Sequence, residues 1–238
     1  MKLRAHLASV AILVLGTGVA YAWIDRLEAS PFEFDPANTF LVQAEWLTGI
    51  GCPTDASISN DGSITTGSFS DPACETGDPR DRRNEGLLLV KRGPTDNFAA
   101  AGMEIKGARG EIVTEVGYDI WKPGSLSEPA GSHCSHGAPR FDITPFGGGA
   151  ATSIGCKSPA PVVLASGDGW LRLRWIIPAI KVESLSIVFD EGQDAGHDNL
   201  GLAVLDNIDV NGTLVGAGPV SGTGLPPGDT EPIWKEMW

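Results

Sequence analysis

The eleven residues Leu202–Gly212, LAVLDNIDVNG, read either as a strand or as a cation loop, and the choice decides the class of the fold. In a regular strand, Leu202, Val204, Asp206, Ile208 and Val210 share one face and Ala203, Leu205, Asn207, Asp209 and Asn211 the other, because successive side chains alternate. Asp206 then points into an apolar face, where a lone carboxylate must be neutralised, paired or coordinated. Calcium suits it, a hard ion that takes roughly six to eight oxygens. The alternative is a bulge at Asp206–Asn207 that turns the carboxylate outward. As a loop, Asn207, Asp209, Asn211 and Gly212 imitate the start of an EF-hand. That template opens with Asp and closes with Glu, and here Asn207 and Gly218 stand in those places. A tight turn at Asn211–Gly212 after a strand accounts for the same residues.

Working outward, short alternating or wholly apolar runs recur between Gly, Pro, Asp and Asn clusters, and helical periodicity is absent. Strands are expected in FLVQAEWL from Phe40, SITTGSF from Ser63, GLLLVKR from Gly86, EIVTEVGYDIW from Glu111, PRFDIT from Pro139 and VVLA from Val162. Further strands are expected in WLRLRWII from Trp170, in SLSIVFD from Ser184 and in the opening stretch. The pattern predicts an all-β fold, a two-sheet antiparallel β-sandwich with long disulfide-closed loops. It occupies residues 23–215. Residues 216–238, rich in Gly and Pro, read as an irregular tail whose Trp234 and Trp238 dock on the body.

The first 22 residues have the form of a secretory signal peptide: basic Lys2, Arg4 and His6, the apolar run Leu7–Ala20, and AYA ending at Ala22. That run of 14 residues is shorter than the roughly 20 that span a bilayer. A secreted, extracellular or periplasmic protein with no stable membrane span is expected. Removing the signal takes the net charge from −13 to −15, which argues against nucleic acid as a partner and leaves cations or uncharged glycans as plausible ligands. In an exported chain the four cysteines Cys52, Cys74, Cys134 and Cys156 are expected in disulfides. Of three pairings, Cys52–Cys74 and Cys134–Cys156 close the shortest loops at the least entropic cost.

The segment VFDEGQDAGHDNLGLAVLDNIDVNG, residues 188–212, resembles the closing strands of secreted bacterial jelly-roll domains of the galactose-binding-like and carbohydrate-binding-module type. The resemblance covers the final third of the domain and implies a jelly-roll sandwich. In such domains an acidic residue of the last strand joins early-strand oxygens in a structural calcium site. By position this implicates Asp206; the resemblance does not fix the early partner, for which Glu33 and Glu45 are the candidates. The middle segment, residues 117–143, resembles exported bacterial proteins of no assigned activity.

Trp170, Arg172 and Arg174 share one side of a strand whose other side is Leu171, Leu173 and Trp175, and Arg140 shares a face with Asp142. An aromatic ring stacks on a sugar, and guanidinium forks hold hydroxyls or carboxylates, so Trp170, Arg172, Arg174 and Arg140 are the candidate ligand-binding residues. Cross-strand pairing with the abundant acids is the competing reading. Asp190, Glu191, Asp194 and Asp198 form an acidic, glycine-rich loop able to wrap a cation or simply to be solvated. His133 and His136 flank Cys134 as possible metal ligands, although a disulfide is the better use of that cysteine. No serine elbow, zinc-protease helix or phosphate loop is present. Glu111, Glu115 and Asp119 share a strand face without the spacing of sandwich-fold glucanases. The expected function is a secreted non-catalytic binding module for a glycan or cell-surface ligand, with a possible structural calcium. A sandwich-fold carbohydrate-active hydrolase or lyase is the alternative, and a structural envelope protein the third.

Overall fold

The computed structural model describes residues 27–52, 57–58, 64–65, 85–94, 97–122, 139–155, 160–166, 170–192 and 201–217. The signal segment, Cys74, Cys134, Cys156, Trp234 and Trp238 lie outside these residues, and so do the expectations that concern them. In chain order the strands are β1 (Glu28–Phe34), β2 (Val42–Thr48), β3 (Ser57–Ile58), β4 (Ile64–Thr65), β5 (Glu85–Lys91), β6 (Ala100–Lys106) and β7 (Ile112–Trp121). They continue with β8 (Arg140–Pro145), β9 (Thr152–Ile154), β10 (Val162–Ser166), β11 (Trp170–Phe189), β12 (Leu202–Val210), β13 (Thr213–Leu214) and β14 (Gly216–Ala217). No α-helix occurs among the described residues, and none there is long and apolar enough to cross a membrane.

The protein is an all-β, jelly-roll-like sandwich of two antiparallel layers. β11 belongs to both. Its first half pairs with β10 and β7, in a layer that continues through β12 and β5 to β2. Its second half pairs with β6 and β8, in a layer that runs from β14 and β1 to β9. WLRLRWII and SLSIVFD, expected as two strands, are therefore one, which crosses between layers where its register shifts near Pro178. The parallel pairing of β14 with Glu28 and Ala29 is the exception to the antiparallel rule, and it makes the first residues of the expected irregular tail part of a sheet.

The core lies between the layers and is built from the inward half of each alternation: Leu87 and Leu89 from β5, Tyr118 and Ile120 from β7, Phe141 and Ile143 from β8, Leu173 and Trp175 from β11. Tyr118, Phe141 and Trp175 pack as a triangle with ring centroids 5.2 to 5.9 Å apart, each pair worth about 0.5–1.5 kcal/mol beyond its buried area. The exposed edges of the two layers are stitched by side chains. Trp46 donates to the Ala29 carbonyl at 3.3 Å, and the Ala44 amide donates to Glu33 at 3.1 Å. Pro31 sits on the edge strand β1, where a missing ladder donor is tolerated.

β12 resolves the ambiguity of its own sequence. Asp206 lies opposite Asp119 and Asp209 opposite Gly117, so Asn207 and Ile208 share a single facing residue in a β-bulge. Asn207 takes a left-handed φ of 43°, which asparagine tolerates better than most residues. The extra residue switches the alternation, so Ala203 and Leu205 before it and Ile208 and Val210 after it all enter the core. Asp206 and Ile208 consequently face opposite sides. The strand closes on Asn211–Gly212, with φ of 52° and 73°, a two-residue hairpin turn into β13 with both central residues left-handed.

Candidate functional site

The outward face of the β11–β7–β12 layer gathers the charged residues of three strands. Arg172 lays its fork on Asp119, with both nitrogen–oxygen distances 3.1 Å, and Arg174 reaches the same carboxylate at 3.4 Å. Asn207 donates to Asp119 at 2.9 Å, an amide that the bulge delivers. Arg174 Nε also lies 2.6 Å from Asp209 Oδ2, a charge contact without hydrogen-bond alignment. Arg174 has room for this because residue 117 is glycine: a Cβ there would fall on the Arg174 side chain. Burial pushes the carboxyls of Asp119 and Asp209 above their ordinary range, against the pull of Arg172 and Asn207 on the first and of Arg174 on both. Arg172 and Arg174 are 8% and 7% exposed, Trp170 is 3%, and Asp119 is fully covered. The guanidinium groups are thus turned to neighbouring acids, and Asp119 is enclosed rather than offered to a substrate.

Asp206, on the same face, is also buried. Its Oδ2 accepts the Cys52 amide at 2.5 Å and its Oδ1 accepts the Asn207 amide at 2.6 Å. The segment Gly49–Cys52 lies over the sheet at this point, close enough that a side chain on Gly51 or Gly86 would collide with it or with Asp206. Cys52 is disulfide-bonded. A calcium ion requires roughly six to eight oxygens. Among the described residues no group of three acidic, His or Cys side chains is arranged to hold a metal. Glu33 and Glu45, the candidate early partners, are engaged with the Ala44 amide and with Gln43. His133, His136, Asp194 and Asp198 lie outside the described residues.

The other layer presents a different outward face. Direct cross-strand pairing places Phe32, Gly102, Val188 and Arg140 in one row across β1, β6, β11 and β8. The Phe32 ring leans over Gly102, where a Cβ would stand 2.6 Å from its Cζ. Beside it Phe34 is 54% exposed and faces Ala100. At the far end of the row Arg140 donates to Asp190 at 2.8 Å and lies 3.5 Å from Asp142, which also accepts Ser153 Oγ at 2.6 Å. These three side chains are 28%, 32% and 24% exposed, about a quarter to a third of each. A strip of small or short side chains therefore runs between an aromatic ridge and a charged one, about three strand spacings or 14 Å apart. Among the described residues, Asp142 Oδ2, Asp190 Oδ1 and Arg140 Nη2 have no hydrogen-bond partner.

Of the four candidate ligand residues, Arg140 lies on this open face. Trp170, Arg172 and Arg174 lie together on the covered one. Phe32 and Phe34 escaped the sequence analysis because EASPFEF carries a proline and few β-branched residues, and β6 escaped because AAGMEIK opens with small residues. The alternation of Phe32 and Phe34 around Glu33 was the available signal.

No protein-family model and no curated protein matches the sequence. Among solved structures, the enzymatically active domain of bacteriophage CBA120 tailspike protein 4 matches with 13% identity over 79% of this chain and a TM-score of 0.33. This chain covers 19% of that one, about a fifth of its length. The family 11 carbohydrate-binding module of the cellulosomal cellulase Lic26A-Cel5E of Clostridium thermocellum matches with 10% identity, over 82% of this chain and 91% of that one, with a TM-score of 0.30. A family 11 module from Clostridium thermocellum in complex with a beta-1,3-1,4-mixed-linked tetrasaccharide matches with 12% identity, over 79% and 96%, with a TM-score of 0.26. Likenesses this loose align no site.

Proposed function

We propose that the protein is an exported, non-catalytic binding module for a glycan, and that the ligand lies on the outward face of the β1–β6–β11–β8 layer. The observation that carries this reading is the row that sets Phe32 over Gly102 at one end and Arg140 between Asp142 and Asp190 at the other. An aromatic ring offers the apolar face of a sugar a surface to rest on, and fixed polar groups opposite read its hydroxyls. Small residues between them let the chain approach the sheet. Export follows from the signal-like first 22 residues. Arg172 and Arg174 have a structural part in this reading, holding Asp119 and Asp209 while they tie β11 to β7 and β12. Asp206 accepts the backbone amides of Cys52 and Asn207, and the reading needs no ion there.

A glycan array probed with the mature protein tests the proposal, followed by titration of any ligand found. Arg140→Ala and Phe34→Ala should each weaken binding at least tenfold without lowering the melting temperature by more than a few degrees. Arg172→Gln should lower the melting temperature and leave the affinity of the folded protein intact. The proposal fails if the array shows no ligand, or if affinity follows Arg172 and not Arg140.

A further inference from the structure

The charges around that row decide which class of glycan fits it. Arg140 is the guanidinium of the site, and two carboxylates already balance it, Asp190 at 2.8 Å and Asp142 at 3.5 Å. The polar capacity that remains consists chiefly of carboxylate oxygens, Asp142 Oδ2 and Asp190 Oδ1, which accept hydrogen bonds and cannot donate them when ionised. Glu104 is exposed on the neighbouring row of the same face, paired across the sheet with Ser30 and Ser186, and adds a third negative charge. We infer, on the reading that this face binds a glycan, that the site selects uncharged sugars through their hydroxyl donors and rejects uronic acids and other anionic sugars.

The physical reason is an asymmetry between donors and acceptors. A hydroxyl of a neutral sugar donates to a carboxylate in a charge-assisted hydrogen bond. A sugar carboxylate in the same place meets like charge on three sides. It also has to compete with Asp142 and Asp190 for Arg140, so it loses the bidentate partner that a free arginine would offer. Discrimination of this kind rests on repulsion as much as on attraction.

The experiment is isothermal titration of the mature protein with matched pairs of β-1,4-linked hexasaccharides that differ only in oxidation at C6, such as mannan with mannuronan and glucan with glucuronan. For each pair that binds, the neutral member is expected to bind at least tenfold more tightly. The Asp142→Asn, Asp190→Asn double variant, which keeps side-chain shape, should narrow that ratio by strengthening the uronate. Equal or tighter binding of the uronate to the unaltered protein, sensitive to Arg140→Ala, overturns the inference and leaves the glycan reading standing. Binding of neither member, or binding indifferent to both Arg140→Ala and Phe34→Ala, overturns the glycan reading and this inference with it.

Discussion

Gly117→Ala adds one methyl group to the covered face, and the structure says what it must displace. The new Cβ falls on Arg174 Cδ, 2.6 Å from its Nε and 2.8 Å from the Leu173 carbonyl oxygen. Leu173 is held in the β11–β7 ladder opposite Tyr118, so its carbonyl cannot yield and the guanidinium has to leave. Asp209, 3% exposed, then loses its charge partner, and Asp119 loses one of two arginines while keeping Arg172. Overpacking costs about 1–3 kcal/mol. Breaking one partner of a buried ion pair costs about 3–5 kcal/mol. The smaller entropy of an alanine-containing unfolded chain returns about 0.5–1 kcal/mol. A net loss of about 3–5 kcal/mol is expected, a large share of the roughly 5–15 kcal/mol that holds a domain folded. Urea denaturation of the mature protein measures it, with Gly216→Ala as the control. There the nearest atom to a new Cβ is 3.9 Å away, and the change should stay within about 0.5 kcal/mol. A Gly117→Ala protein within about 1 kcal/mol of the unaltered one would refute the account of why residue 117 is glycine.

Three further outcomes are expected. The chain has two tyrosines, and the proposed cleavage after Ala22 would leave Tyr118 alone; it is fully buried and donates to the Pro139 carbonyl at 2.6 Å. Burial pushes its phenol far above the ordinary value of about 10, so the native state keeps a proton that the unfolded chain loses, and stability falls as pH rises past about 10. Absorbance at the phenolate band should stay flat until the protein unfolds, and a midpoint near 10 with the fold intact would contradict it. Asp206→Ala strands the Cys52 and Asn207 amides and should cost about 2–3 kcal/mol, whereas excess calcium or chelator should leave the melting temperature unchanged. A calcium-dependent rise that Asp206→Asn abolishes would instead assign an ion to Asp206. Asn211→Ala removes the acceptor of the Thr114 and Glu115 amides and the donor to the Ile112 carbonyl, at a left-handed position, and should cost about 2 kcal/mol by thermal or urea unfolding.

Local pattern was enough to settle the class of the fold. The alternation in SLSIVFD and EIVTEVGYDIW, and the short unbroken apolar runs VVLA and GLLLV between turn residues, point to strands. Asn211–Gly212 announces its turn because few residue pairs accept left-handed backbone twice in succession. Cross-strand pairing of arginine with acid was legible too, since charged residues at alternate positions in an acidic chain need partners. Tertiary structure alone decided the rest. Whether Asp206 joins Ile208 depends on one bulged residue, and a bulge is set by the facing strand, which the local sequence does not contain. Whether Arg140 or Arg174 meets solvent depends on what crosses above each sheet. WLRLRW and PRFDIT alternate in the same way, yet the first is covered on both sides and the second on one. The row from Phe32 to Arg140 joins four strands spread over more than 150 residues, through a glycine and a valine that carry no chemistry of their own. Neighbourhood of that kind is a property of sheet order and register, and no stretch of the chain records it.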